Sequence, residues 1–199
     1  MDPLTLLGTS LGLGFAAGMR LYATVLAIGL ALRFDLLALP ATLKPLELLA
    51  HPVVIGVAAF MYVAEFVSDK IPWFDSAWDA VHTFIRPVGA AALGFAAFAN
   101  IDPLARTLLV LLTGGVALTS HASKAATRVA VNQSPEPFSN WALSLAGDAA
   151  APVLVWLTMT HPLVVAAIVI VALIISVWLA RKVIRLAGEG LAALRRTFA

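Results

Sequence analysis

The chain of 199 residues contains no cysteine. Disulfides, thiolate metal sites and thiol redox chemistry are therefore excluded. Charge is scarce too. Only 12% of the residues are Asp, Glu, Lys or Arg, against about 25% in an ordinary soluble domain. A fold in water could not cover its surface with so few polar groups. With 61% hydrophobic residues and a mean hydropathy of +0.96, lipid is the expected solvent for much of the chain. A net charge of +2 is too small to point to nucleic acid. The opening MDPLTLLG has no basic leader, and its apolar run is too long for a cleaved signal peptide. It reads as a first membrane span.

What is present is a series of apolar runs separated by proline or charge: about 4–32, 52–71, 85–100, 105–130, 140–159 and 162–181. A helix needs about 20 residues to cross the hydrocarbon core. The runs predict an all-α, polytopic transmembrane bundle of about six spans in a single domain, 1–199. The first and fourth runs are long enough to require a tilt, a kink or a protruding end. Barrel strands would alternate apolar and polar residues, and these runs are continuous. Arg181, Lys182, Arg185, Arg195 and Arg196 make 182–199 a basic tail. By the positive-inside rule that tail is cytoplasmic, and an even span count puts the N-terminus there as well. The expected location is a bacterial inner membrane, with the lipid bilayer as partner.

Between the second and third runs, Trp73, Phe74, Ala77, Trp78, Val81, Phe84 and Ile85 follow helical spacing. Asp75, Asp79 and His82 lie off that stripe. The pattern predicts an amphipathic helix lying on the membrane surface; a short core-facing helix is the alternative. A faint internal repeat pairs 8–20 with 116–128, matching Arg20 to Arg128. A second match pairs 65–72 with 144–152, each with an Asp shortly before a Pro. Halves of about 1–100 and 104–186, with three spans each, would form an inverted repeat of the kind found in transporters.

The informative residues are charges within apolar runs. Arg20 sits near the middle of the first, beside GFAAG (14–18), whose glycines allow close helix approach. Glu65 and Asp69 lie one turn apart near the end of the second. Thr113, Ala117, Ser120, His121, Lys124 and Arg128 form a stripe on the fourth that cannot face lipid. Asp148 lies within the fifth. An ionised residue at the centre of a span costs about 2.5–3.5 kcal/mol even on a lenient scale. Arg20, Glu65, Lys124 and Asp148 unpaired would together cost about 10 kcal/mol, comparable with the stability of a whole domain. They are expected to converge on one wet or ion-paired interior.

Several of these segments together resemble a known family. E-x-x-x-D-K-I-P-x-x-D-x-x-x-D with IRPVGA (65–90), then KAATR, N-x-S-P-E-P (132–137) and S-x-x-G-D (144–148), are similar to the bacterial membrane family called domain of unknown function 4126. The resemblance covers nearly the whole chain. It implies a small multi-pass membrane protein and supplies no activity. The chain departs from the family at Gly147–Asp148, where Glu-Asp is often found.

Three functions fit. In a transporter or channel for an ion or small anionic solute, Glu65, Asp69 and Asp148 would take a cation or proton. Arg20, Lys124, His121 and Arg128 would then hold an anionic group or act as counter-charges. In an intramembrane lipid-modifying enzyme, Asp69, Asp75 and Asp79 would hold a divalent metal, with His82 and Arg86 on a phosphate. In a scaffold or accessory subunit, the charges would serve assembly, and small-residue faces on the first and third spans would form a homodimer seam. No nucleophile–base pair, phosphate-cradling glycine loop or H-E-x-x-H motif is found, and no cofactor is implied.

Overall fold

The computed structural model describes residues 1–131 and 138–197. Among the described residues six α-helices are found: α1 (Pro3–Arg33), α2 (Pro52–Ser68), α3 (Pro72–Ala97), α4 (Pro103–Val131), α5 (Phe138–Thr160) and α6 (Pro162–Thr197). A short 3₁₀ segment, Ala41–Ala50, precedes α2. Among the described residues there is no strand. Proline punctuation sets most of the starts. Pro3, Pro52, Pro72, Pro103 and Pro162 each open a helix, where the missing N–H costs nothing. Asp2 accepts from the Thr5 amide at 3.0 Å, and Asp102 accepts from the Leu104 and Ala105 amides at 3.0 Å each, so the first turns of α1 and α4 are capped.

Among the described residues four helical stretches are long and apolar enough to cross a membrane: Pro3–Arg33, Trp73–Ala97, Pro103–Arg128 and Trp141–Thr160. The 3₁₀ segment and α2 form a pair bent by 70° that adds a fifth as one broken span, and Pro162–Trp178 is a shorter apolar stretch. The chain is a polytopic helical membrane protein.

Two expectations change. Residues 73–85 do not form a separate surface helix. They are the first turns of α3, which continues through Pro87 to Ala97. Its apolar stripe, with Trp73, Val81, Phe84 and Val88, is exposed toward the expected lipid, while Asp75, Asp79, His82 and Arg86 are buried. The polar face, not the apolar one, points into the protein. This is the arrangement lipid demands and water would invert.

The second change concerns α1. It is central and packs against every other helix. Its backbone leaves the helical region at Arg20 (φ −150°, ψ 81°), so it is two helices joined at a break. The first half runs parallel to α4: Ser10 Oγ donates to the Leu109 carbonyl at 2.9 Å, a Cβ on Gly14 would lie 2.5 Å from the Thr113 carbonyl, and Gly18 abuts Ala117 and Ser120. It runs antiparallel to α5, with Gly12 on Thr158 and Arg20 on Ser144. The second half runs back along α2, with Arg20 on Glu65 and Gly29 against Ile55. Leu43 and Leu46 of the 3₁₀ segment join the core that holds Leu109, near the start of α4, and Phe98, just past the end of α3.

Segment 8–20 thus runs in the same direction as α4, which carries 116–128, with Ser10, Gly14 and Gly18 beside Leu109, Thr113 and Ala117. An inverted repeat would oppose them, so the pairing of these segments does not describe this fold. The small-residue face of α1 is also used within the chain. Gly8 and Gly12 meet Pro162, Thr158 and Val165, and Gly14 and Gly18 meet α4.

Candidate functional site

The site forms where four helices contribute the same end. Glu65 and Asp69 come from the end of α2, and Asp75, Asp79, His82 and Arg86 from the first half of α3. His121, Lys124 and Arg128 come from the last half of α4, and Ser144 and Asp148 from the first half of α5. Arg20 is delivered from the break in α1. On α3 and α4 the spacing of three or four residues puts these groups on one face of each helix.

Among the described residues, nine contacts within 4 Å join five carboxylates to four cations. Glu65 is the hub. Its Oε1 lies 2.6 Å from Arg86 Nη2, 3.1 Å from Arg20 Nη1 and 3.3 Å from Lys124 Nζ, and the side chain is fully buried. Asp69 pairs with Arg20 Nη1, with Arg128 Nη2 at 3.0 Å, and accepts from Ser144 Oγ at 3.0 Å. Asp75 pairs with Arg128 at 3.2 Å. Asp79 stands further off, 3.6 Å from Arg86 and 3.8 Å from Lys124. Asp148 lies 3.1 Å from Arg20 Nε.

Arg20, Glu65, Asp69, His121, Lys124, Arg128 and Asp148 are therefore brought together in one interior network, as the cost of isolated charges requires. Arg20 also donates to the carbonyl and hydroxyl of Ser144, each at 3.0 Å. Gly147 leaves room for it, since a Cβ there would lie 3.3 Å from Arg20 Nε.

Two histidines are buried in the site, and one of them is held as a neutral tautomer. His121 Nδ1 accepts from Arg86 Nη1 at 2.8 Å, so the proton is on Nε2, which donates to the Asp79 carbonyl at 3.0 Å. His82 Nδ1 donates to the Trp78 carbonyl at 2.8 Å, and its Nε2 shares a hydrogen bond with Tyr22 Oη at 3.0 Å. His82 stacks on Trp78 with centroids 4.4 Å apart.

Arg86 is the residue sequence reasoning undervalued. From sequence it has a role only as a phosphate partner in the enzyme reading, yet it is wholly buried and holds Glu65, His121 and the Gly18 and Met19 carbonyls at 3.1 and 3.2 Å. Those carbonyls are freed by the break at Arg20, and a buried unpaired carbonyl is costly. The signal for Arg86 was present: Asp75, Asp79, His82 and Arg86 repeat at helical spacing as strictly as the stripe on α4. The tryptophans opposite suggested headgroup depth and masked it. Ser144 stood only as the first residue of the S-x-x-G-D segment, and Tyr22 carried no recognisable signal. The N-x-S-P-E-P motif (132–137) lies outside the described residues.

The metal reading fares differently. Asp69 and Asp75 share Arg128, and Asp79 faces Arg86 and Lys124. Among the described residues no three carboxylate or imidazole groups are grouped so as to hold a metal ion.

Neither a comparison with characterised proteins nor one with solved structures finds a match. A family model, described as domain of unknown function (DUF4126), matches residues 7–182. The match covers the break in α1 and every charged residue of the network. This chain belongs to the DUF4126 family.

Proposed function

We propose that this chain is a small transporter or channel of the bacterial inner membrane that moves an ion or small anionic solute through its polar interior. One observation carries the reading: the buried ion-pair network is built around a broken helix. A purely structural bundle gains little from such a core, because buried pairs often fail to repay their desolvation. Broken helices place backbone ends and charges at the binding sites of many transporters. Here the broken end of α1 brings Arg20 between carboxylates of α2 and α5.

The basic residues Arg181, Lys182 and Arg185 favour a cytoplasmic end for α6. Gly8 and Gly12 of α1 follow Pro162 and Val165 of α6 in the same direction, so the network lies toward that cytoplasmic side. Because α1 turns back at Arg20, Met1 and the α1–α2 connection share the opposite side. On this reading the N-terminus lies on the side opposite the cytoplasmic end of α6, in place of the cytoplasmic N-terminus expected from an even span count.

The test is flux of ions and small anions in proteoliposomes, with Asp148→Asn as the variant, because Asp148 contacts a single cation. Flux should be lost while the melting temperature stays near that of the parent. Unchanged flux in Asp148→Asn, or no flux of any ion or small anion by the parent, removes this reading. A scaffold would show the second result.

A further inference from the structure

Among the described residues the ion-paired set is not balanced. Five carboxylates (Glu65, Asp69, Asp75, Asp79, Asp148) face four cations (Arg20, Arg86, Lys124, Arg128) within ion-pair distance. The nearby His121 is fixed as a neutral ring, because its Nδ1 accepts from Arg86. The ion-paired set thus carries a formal charge of −1. Lys70 is the nearest further cation, but it lies at the turn between α2 and α3. Its Nζ donates to Ser144 Oγ at 3.0 Å and sits 3.8 Å from the centroid of the Phe66 ring. Among the described residues it makes no ion pair within 4 Å of a carboxylate. A net charge in an apolar interior is expensive, so the set favours taking up one positive charge.

We propose that Asp148 is the site of one exchangeable proton, which neutralises the network and loosens α5 from the break in α1. The inference rests on the transport reading for its purpose, but not for its chemistry. Glu65 has three cations, and Asp69 two cations and a serine hydroxyl. Asp79 has two cations at longer range. Asp148 has Arg20 alone, and Arg20 is shared with Glu65 and Asp69. Both Asp148 oxygens are buried without a hydrogen-bond donor, as are both of Asp79, but Asp79 faces two cations and Asp148 only one, which two other carboxylates share. Its side chain is also the most exposed of the five carboxylates, at 10%, which gives a proton the shortest way in.

The groups that face it are Arg20 from α1, Tyr62, Glu65 and Asp69 from α2, and Lys70 from the turn. Arg128 of α4 acts on it through Asp69. When ionised, Asp148 holds Arg20 Nε and so ties α5 to the α1 break. When a proton from water is bound to one of its oxygens, that ion pair is lost. Arg20 keeps Glu65 and Asp69, which anchor the α1 break to α2, and of its contacts to α5 it keeps only those to Ser144.

Infrared difference spectra of the full chain in lipid nanodiscs, recorded between acid and alkaline pH, test this. One protonated-carboxyl C=O band should appear on acidification. It should be absent in Asp148→Asn, shifted but present in Asp148→Glu, and retained in Asp79→Asn. A band that persists in Asp148→Asn, disappears in Asp79→Asn, or never appears in the parent overturns the proposal. If Asp148→Asn does not fold, the Asp148→Glu shift decides alone: an unshifted band places the proton elsewhere. Loss of the transport reading would leave these spectra unchanged, so the two fail separately.

Discussion

Arg86 donates from Nη1 to the carbonyl of Gly18 at 3.1 Å, just where α1 breaks. A side chain of α3 thereby replaces helix hydrogen bonds that the break removes from α1. The same guanidinium reaches Glu65 at 2.6 Å and His121 at 2.8 Å. One planar, forked donor set thus joins α1, α2, α3 and α4.

Arg86→Lys should therefore behave as a severe substitution. An ammonium is a point charge and cannot serve the carbonyls, the imidazole and the carboxylate together. The expected loss is about 3–5 kcal/mol, the cost of breaking a buried charge set from one side. Unfolding in mixed detergent micelles measures it, and a loss below about 1 kcal/mol would deny Arg86 this joining role.

Glu65→Gln removes the one carboxylate shared by three cations. It should destabilise by about 3–5 kcal/mol, because Arg20, Arg86 and Lys124 are left with less compensation. Asp148→Asn, with one cation on its partner side, should cost less in the same assay. Equal losses would mean that Glu65 is not the hub.

Gly18→Ala should be poorly tolerated, since the added Cβ would fall on Ser120 Oγ and the Ala117 carbonyl. Overpacking of this kind costs about 1–3 kcal/mol. Gly56→Ala and Gly115→Ala meet nothing within 4 Å and should be neutral or stabilising by about 0.5–1 kcal/mol. The three melting temperatures check the close packing of α1 on α4.

Because the chain has no cysteine, single cysteines report sidedness without background. Asp35→Cys and Asp102→Cys should react with a membrane-impermeant maleimide from one side, and Arg185→Cys from the other. Labelling of Asp35→Cys on the Arg185→Cys side would mean that α1 crosses fully and does not turn back.

The stripes on α3 and α4 have the same spacing and the same role, yet only one was legible in sequence. Thr113 to Arg128 lies in an unbroken apolar run, so its polar side can only point inward. Asp75 to Arg86 lies opposite tryptophans beside a proline, and a surface helix satisfies that pattern equally well. Arg20 was visible as a buried charge because a mid-span arginine has no inexpensive alternative. The break at Arg20 was not visible. GFAAGMR contains no proline, and its glycines are equally compatible with close helix packing.

The sequence alone determined the solvent, the class and the need for pairing. Continuous apolar runs commit the backbone to helices in lipid, and the energy of an ion in hydrocarbon forces Arg20, Glu65, Lys124 and Asp148 to find one another. Which partners meet, and that α1 turns back to bring Arg20 among them, was decided by tertiary structure. Helical periodicity fixes only which residues share a face of one helix. The direction and depth at which two helices pass depend on contacts between residues about a hundred positions apart, such as Gly18 with Ala117.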